Sequence, residues 1–137
     1  MLGLAYFESY HTDTAAPQNY LKKSAECFQR VIELGVQKDY LYSNLYTVYY
    51  EMQDYVAAEE ALQDYETQFP KSYLPHAFRS MMLITIENAK MQSERDYSNA
   101  VEEYEKADDL ARSGDDLTYL QQLSSLIEQL RSGGWIE

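Results

Sequence analysis

The sequence predicts an all-α chain: a right-handed superhelix of three helix-turn-helix repeats, the first truncated, plus a C-terminal capping helix. Three observations predict it. The stretch QDYVAAEEALQDYETQFP, beginning at Gln53, returns in altered form as RDYSNAVEEYEKADDLAR, beginning at Arg95. Leu21, Ser24, Phe28 and Val31 each lie 34 residues before Tyr55, Ala58, Leu62 and Tyr65, and Tyr97, Ala100, Tyr104 and Ala107 lie 42 residues further on. After Gly114 the pattern gives way to a single stripe of leucines. A hairpin of this kind cannot bury its own apolar face, so the chain repeats the unit and neighbours bury one another.

Each element follows from local signals. Repeat one covers about 1–35. Its first helix is clipped at LGLAY, HTDTAAPQN is an enlarged turn, and Tyr20–Leu34 is the second helix, with Gly35 as its C-terminal cap. Repeat two covers about 39–72. Tyr42, Leu45, Tyr46 and Tyr49 mark its first helix, and Tyr55, Ala58, Leu62 and Tyr65 its second. An alanine at the crossing lets two helices approach closely, and Pro70 ends the second helix because it lacks an N–H and restrains Phe69. Repeat three covers about 75–114. Pro75 suits a first helical position. Phe78, Met81, Met82 and Thr85 are a degenerate first helix, and the second starts from Asp96. Its eight extra residues divide into two before Pro75 and six near NAKMQSER, which lengthen the first helix or enlarge the turn. The cap covers about 116–132, with Leu117, Leu120, Leu123, Leu126, Ile127 and Leu130 on one face. Asp115 or Asp116 serves as N-cap and Gly133 or Gly134 as stop. Trp135 is expected to fold back on the cap's apolar face.

The second repeat resembles the tetratricopeptide family. Tyr42, Leu45, Tyr46, Tyr49, Tyr55, Ala58, Leu62, Tyr65 and Pro70 stand at its signature positions, with Tyr46 in place of a small residue and Tyr65 in place of an alanine. Those two departures are expected to loosen helix packing locally. LGLAY resembles the Leu-Gly-x-x-Tyr of a first helix. The enlarged turns, ERDYSNAVEEYEKA and the closing SGGW are similar to the C-terminal tetratricopeptide region of bacterial serine/threonine protein kinases. No kinase motif is present, so such a parent would use this piece to sense, recruit or dimerise.

Bulk properties narrow the function. At 137 residues with 45% apolar content, the chain suits one compact domain or a short repeat array. Its apolar runs are too short to cross a bilayer, and no basic-then-apolar leader opens it. Met1 enters straight into an apolar pattern, as expected of a piece cut from something longer. The net charge of −12, from 11 basic and 23 acidic residues, disfavours nucleic acid. Residues 94–116 carry nine acids and three bases, half of that excess, either as a solvated face or as a docking face for a basic partner. Cys27 is the sole cysteine, which excludes an intrachain disulfide and a Cys/His zinc site and fits a reducing compartment. Beside Phe28 it reads as buried and inert.

No catalytic constellation stands out: no Gly-rich phosphate loop, no His-Glu-x-x-His, no Ser-x-x-Lys. His11 and His76 fall in different repeats and read as surface or satisfied residues. Glu59–Glu60 and Glu102–Glu103 are sequence neighbours, so they point apart on a helix and form no carboxylate dyad. The expectation is a non-enzyme with no cofactor and no metal.

The 14 tyrosines are the odd abundance. Tyr42, Tyr49, Tyr55, Tyr97 and Tyr104 read as core. The family resemblance implies that first helices line a concave groove. Its register gives Leu4, Phe7 and Glu8 in repeat one. It gives Tyr40, Ser43, Asn44, Thr47, Tyr50 and Glu51 in repeat two, and His76, Arg79, Ser80, Leu83, Ile86 and Glu87 in repeat three. The candidate peptide groove is therefore Phe7, Tyr40, Ser43, Asn44, Thr47, Tyr50, His76, Arg79 and Leu83, with aromatics for contact area and Asn and Arg for a backbone or carboxylate. Of the family's carboxylate-clamp positions only Asn44 matches, and the net charge opposes that ligand. The expected function is protein or peptide binding as a regulatory part of a larger signalling protein, without nucleic acid or membrane insertion. The alternative is a structural or oligomerisation module, dimerising through the truncated edge at Leu2, Leu4 and Tyr6. The expected location is cytoplasmic, or extracytoplasmic if the parent is a membrane-anchored kinase.

Overall fold

The computed structural model describes residues 18–112 and 114–137. The LGLAY helix, Phe7, His11 and the edge at Leu2, Leu4 and Tyr6 lie outside the described residues. Among the described residues there are six α-helices, one short 3-10 turn and no strand. No helix among them is long and apolar enough to cross a membrane. The chain divides into two compact units, Met1–Pro70 and Lys71–Glu137.

In the first unit α1 (Gln18–Glu33) packs on α2 (Asp39–Glu51), and α2 packs on α3 (Tyr55–Gln68). The repeat positions supply the core: Leu21, Ser24 and Phe28 of α1 and Ala58, Leu62 and Tyr65 of α3 are all fully buried, joined by Leu41 and Val48 of α2. Ser24 stands where α3 has Ala58, and its buried hydroxyl has no hydrogen-bond partner among the described residues. Tyr65 does not loosen the packing. Its ring stacks on Tyr42 at 5.8 Å, Phe69 meets both rings edge-on, and its hydroxyl donates to the Asp39 carboxylate. Tyr46 is buried as well. Cys27 is half-buried, not buried as expected, because it lies a step round the helix from the stripe of Ser24 and Phe28.

The helix ends explain the tight turns. Gly35 at φ 90° closes α1, its N–H bonding to the Ile32 carbonyl at 2.9 Å. The α2–α3 turn uses the same device without glycine. Gln53 sits at φ 59°, its N–H reaches the Tyr50 carbonyl at 2.9 Å, and the Asp54 N–H reaches the Tyr49 carbonyl at 3.0 Å. Asp54 then caps α3, its carboxylate accepting from the Ala57 N–H at 3.1 Å. One residue thus ends a helix and the next begins another.

In the second unit α4 (Leu74–Asn88) and α5 (Ser98–Leu110) form a hairpin, and α6 (Thr118–Ser132) packs on both. Pro75 occupies the first turn of α4, as expected. The extra residues near NAKMQSER chiefly enlarge the turn, which holds the 3-10 segment Gln92–Glu94. Arg95 pins that turn by donating to the carbonyls of Asn88 at 3.0 Å and Lys90 at 3.1 Å, where the end of a helix favours a cation. Asp96 is not the first residue of α5: it precedes the N-cap Tyr97, and its carboxylate accepts from the Ser98 N–H at 3.0 Å. Asp116, expected with Asp115 as the N-cap of α6, instead precedes the N-cap Leu117 and accepts from the Thr118 N–H and hydroxyl. Tyr73, Ala77, Ile84, Tyr97, Ala100 and Ala107 form one core with Leu120, Leu123 and Ile127 of the cap. Tyr49, Tyr55 and Tyr104, expected as core, are only partly buried.

The α6 terminus reverses at Gly134, φ 81°, where Gly134 donates to the Arg131 carbonyl and Trp135 to the Leu130 carbonyl. This turn carries Trp135 away from the leucine stripe. Its ring meets Tyr97 edge-on at 5.6 Å and lies under the Arg95 guanidinium, also at 5.6 Å. Ile136 adds apolar cover to the core, and Trp135 meets it at Tyr97.

Candidate functional site

The groove candidates separate into two environments. On α2, Tyr40 is 45% exposed, and Ser43, Asn44, Thr47 and Tyr50 are partly buried on the same face. The Ser43 hydroxyl donates to the Tyr40 carbonyl at 3.2 Å and that of Thr47 to the Ser43 carbonyl at 2.8 Å, so both hydroxyls turn back onto their own helix. Tyr50 packs its ring between Tyr46, at 5.8 Å, and Tyr55, at 6.0 Å. The outcome is a face of Tyr40, Asn44 and Tyr50 on which Tyr50 is held by two neighbouring tyrosines.

On α4 the candidates do something else. Arg79 donates to Glu103 at 2.6 Å, and His76 Nδ1 lies 3.2 Å from the same oxygen. Lys106, a turn further along α5, reaches the other oxygen at 2.9 Å. Glu103 is buried, its side chain only 8% exposed. Burial alone would raise its pKa. The hydrogen bonds from His76, Arg79 and Lys106, with the Arg79 charge, outweigh burial and hold the carboxyl well below its ordinary range. Such a group stays ionised at neutral pH and its lone pairs are occupied, so it is a poor proton acceptor or donor. It joins α4 to α5. Ser80 and Glu87, carried along by the groove register, are also interior: the Ser80 hydroxyl donates to the Ala100 carbonyl at 2.6 Å, and Glu87 accepts from Lys90 at 2.6 Å and from the Asp96 N–H at 2.8 Å. Those two bonds lower the Glu87 pKa. Leu83 is partly buried and packs against the second unit's core.

Sequence reasoning missed Glu103 as a partner of Arg79. A signal was present. Glu103 follows Ala100 by three residues and precedes Ala107 by four, so it falls on the buried stripe of its helix, whereas Glu102 is exposed. An acid on a buried stripe demands a cation.

Comparison of the chain with protein-family models, with curated proteins and with solved structures returns no match.

Proposed function

We propose that this chain is a non-catalytic helical-repeat module of the tetratricopeptide type that binds a protein or peptide, as a regulatory or recruiting part of a larger signalling protein such as a serine/threonine kinase. The observation that carries the reading is the burial of the repeated positions. Leu21, Ser24 and Phe28 of α1, Ala58, Leu62 and Tyr65 of α3, and Tyr97, Ala100 and Ala107 at the start of and along α5 are buried, while the fourth member of each set, Val31, Tyr55 or Tyr104, is partly buried. A pattern written three times and used each time for the same packing task is what a repeat module requires. The α2 face supplies the contact surface, with Tyr40 for area at low entropic cost and Asn44 for a peptide backbone. Arg79 and His76, in the second unit, are engaged by Glu103.

The test places a photo-crosslinking amino acid at position 40 or 44 of the full chain, with position 56 as control. Val56 is 74% exposed on α3, outside the proposed face. Capture of one defined polypeptide from positions 40 and 44 but not from 56 supports the reading. Capture from 56 alone, or none from any position, sinks it.

A further inference from the structure

A second surface lies in the first unit, on the opposite side of α2 from Tyr40, Asn44 and Thr47. Leu45 and Tyr49 are one turn apart, and at 3.6 residues per turn they point away from that face. They floor a cleft of about 230 Å³ between α1 and α3. Ile32 of α1 and Ala61 of α3 continue the apolar floor. Gln29 spans the cleft's edge by donating to the Tyr49 hydroxyl.

The rim is of one sign. Glu33 contributes from α1, and Glu60 and Asp64 from α3, while among the described residues no lysine or arginine lines the cleft. Two features of this arrangement cost the folded chain energy when nothing is bound. Glu60 and Asp64 are like charges four residues apart on one helix, a spacing that repels. Glu33 is the last residue of α1, where the helix dipole is negative and an acid is disfavoured. The field reaches the floor: burial first, then Asp54, Glu60 and Glu26, push the Tyr49 phenol pKa upward.

We infer that this cleft receives an arginine side chain from a partner polypeptide. Its aliphatic stem would lie on Ile32, Leu45 and Ala61. Its planar guanidinium can bridge two carboxylates at once, as Glu60 and Asp64 offer, and can stack on the Tyr49 ring. Lysine would supply the charge but neither the fork nor the stacking plane. This site is independent of the α2 face proposed above, so either can fail without the other.

The test uses the full chain with isotope-labelled amides and an acetylated, amidated Ala-Ala-Arg-Ala-Ala peptide. The same peptide with neutral citrulline for arginine is the first control, and free argininamide the second. The expected result is saturable shifts centred on Ile32, Tyr49 and Ala61, with affinity at least about tenfold weaker for the citrulline peptide and for argininamide. The Glu60→Gln/Asp64→Asn variant should lose about tenfold as well. The charge-matched Glu102→Gln/Glu105→Gln variant, altered at exposed positions of α5, should lose less than about twofold. All four substituted residues are exposed, so folding survives in both variants, and circular dichroism checks it. Equal weakening in the two variants means diffuse attraction to an acidic chain and overturns the site. Equal binding of the citrulline peptide removes the cation, equal binding of argininamide removes the polypeptide, and absence of saturable shifts removes the cleft.

Discussion

Glu103 occupies in α5 the place that Ala61 holds in α3, both lying 42 residues apart and both buried. One repeat fills the position with a methyl group, the other with a carboxylate surrounded by His76, Arg79 and Lys106. Removing one member of a buried pair leaves the other uncompensated, which costs far more than the pair contributes as a whole. Arg79→Ala should therefore destabilise the chain, by less than about 3 kcal/mol because His76 and Lys106 still hold Glu103. Glu103→Ala, which writes the α3 residue into α5, should also destabilise, because the bonds that Glu103 accepts from Arg79, His76 and Lys106 are lost. The double variant should fall short of the summed losses by more than about 0.5 kcal/mol. Urea unfolding of the four proteins measures this, and simple additivity would show that the pair is not coupled. The same pair marks the limit of reading sites from one dimension. Register placed Arg79 and His76 on a ligand face, and only the packing of α5 against α4 shows which carboxylate claims them.

At the scale of elements, the sequence spoke through residues with few conformational choices. Gly35, Pro75, Pro70 and the Gly133–Gly134 pair marked helix ends because each restricts or frees the backbone in one specific way. The α2–α3 turn carries no such marker. Gln53 holds the left-handed conformation that Gly35 and Gly134 hold elsewhere, and nothing in a glutamine announces it. The aspartates ahead of α5 and α6 were legible as start signals, but not that Tyr97 and Leu117 are the N-cap residues and that each helix begins two residues after its aspartate. Trp135 was misplaced for a related reason: its direction is set by the backbone reversal at Gly134, not by its hydrophobicity. A left-handed residue with a Cβ costs roughly 1–2 kcal/mol relative to an unstrained one, and glycine removes that cost while adding some unfolded-state entropy. Gln53→Gly should consequently stabilise the chain by about 0.5–1 kcal/mol. The midpoint in urea should rise with an unchanged slope. A lower midpoint would mean that the glutamine side chain contributes more than its strained backbone costs.

Across the whole molecule the governing quantity is the charge of −12. At neutral pH the acids repel one another, and the compact state bears more of that repulsion than the unfolded chain. Added salt shortens the screening length to a few Å near about 0.5 M, so thermal stability at pH 7 should rise with sodium chloride. The Glu103 cluster opposes this trend little, because a buried pair is screened less than a surface one. Acid acts in the other direction. Lowering the pH toward the isoelectric point near 4.5 discharges the surface and by itself would favour folding. Glu103, Glu87, Asp96 and Asp116, however, all have folded-state pKa values below their ordinary ones, held there by hydrogen bonds that for Glu103 overcome its burial. Below about pH 4.5 the unfolded chain therefore binds more protons than the folded one, and stability falls as the pH falls. The contribution of these carboxyls is complete above their unfolded pKa values and drains away toward their folded ones. Stability should thus decline below the isoelectric point although repulsion between acids has gone. In Glu103→Gln that decline should be shallower, since one of the four depressed groups no longer titrates. Urea midpoints of both proteins between pH 3 and pH 7, taken at about 0.5 M salt to suppress long-range repulsion, separate the two effects. Equal slopes in the two proteins would place the acid sensitivity elsewhere than in the α4–α5 clamp.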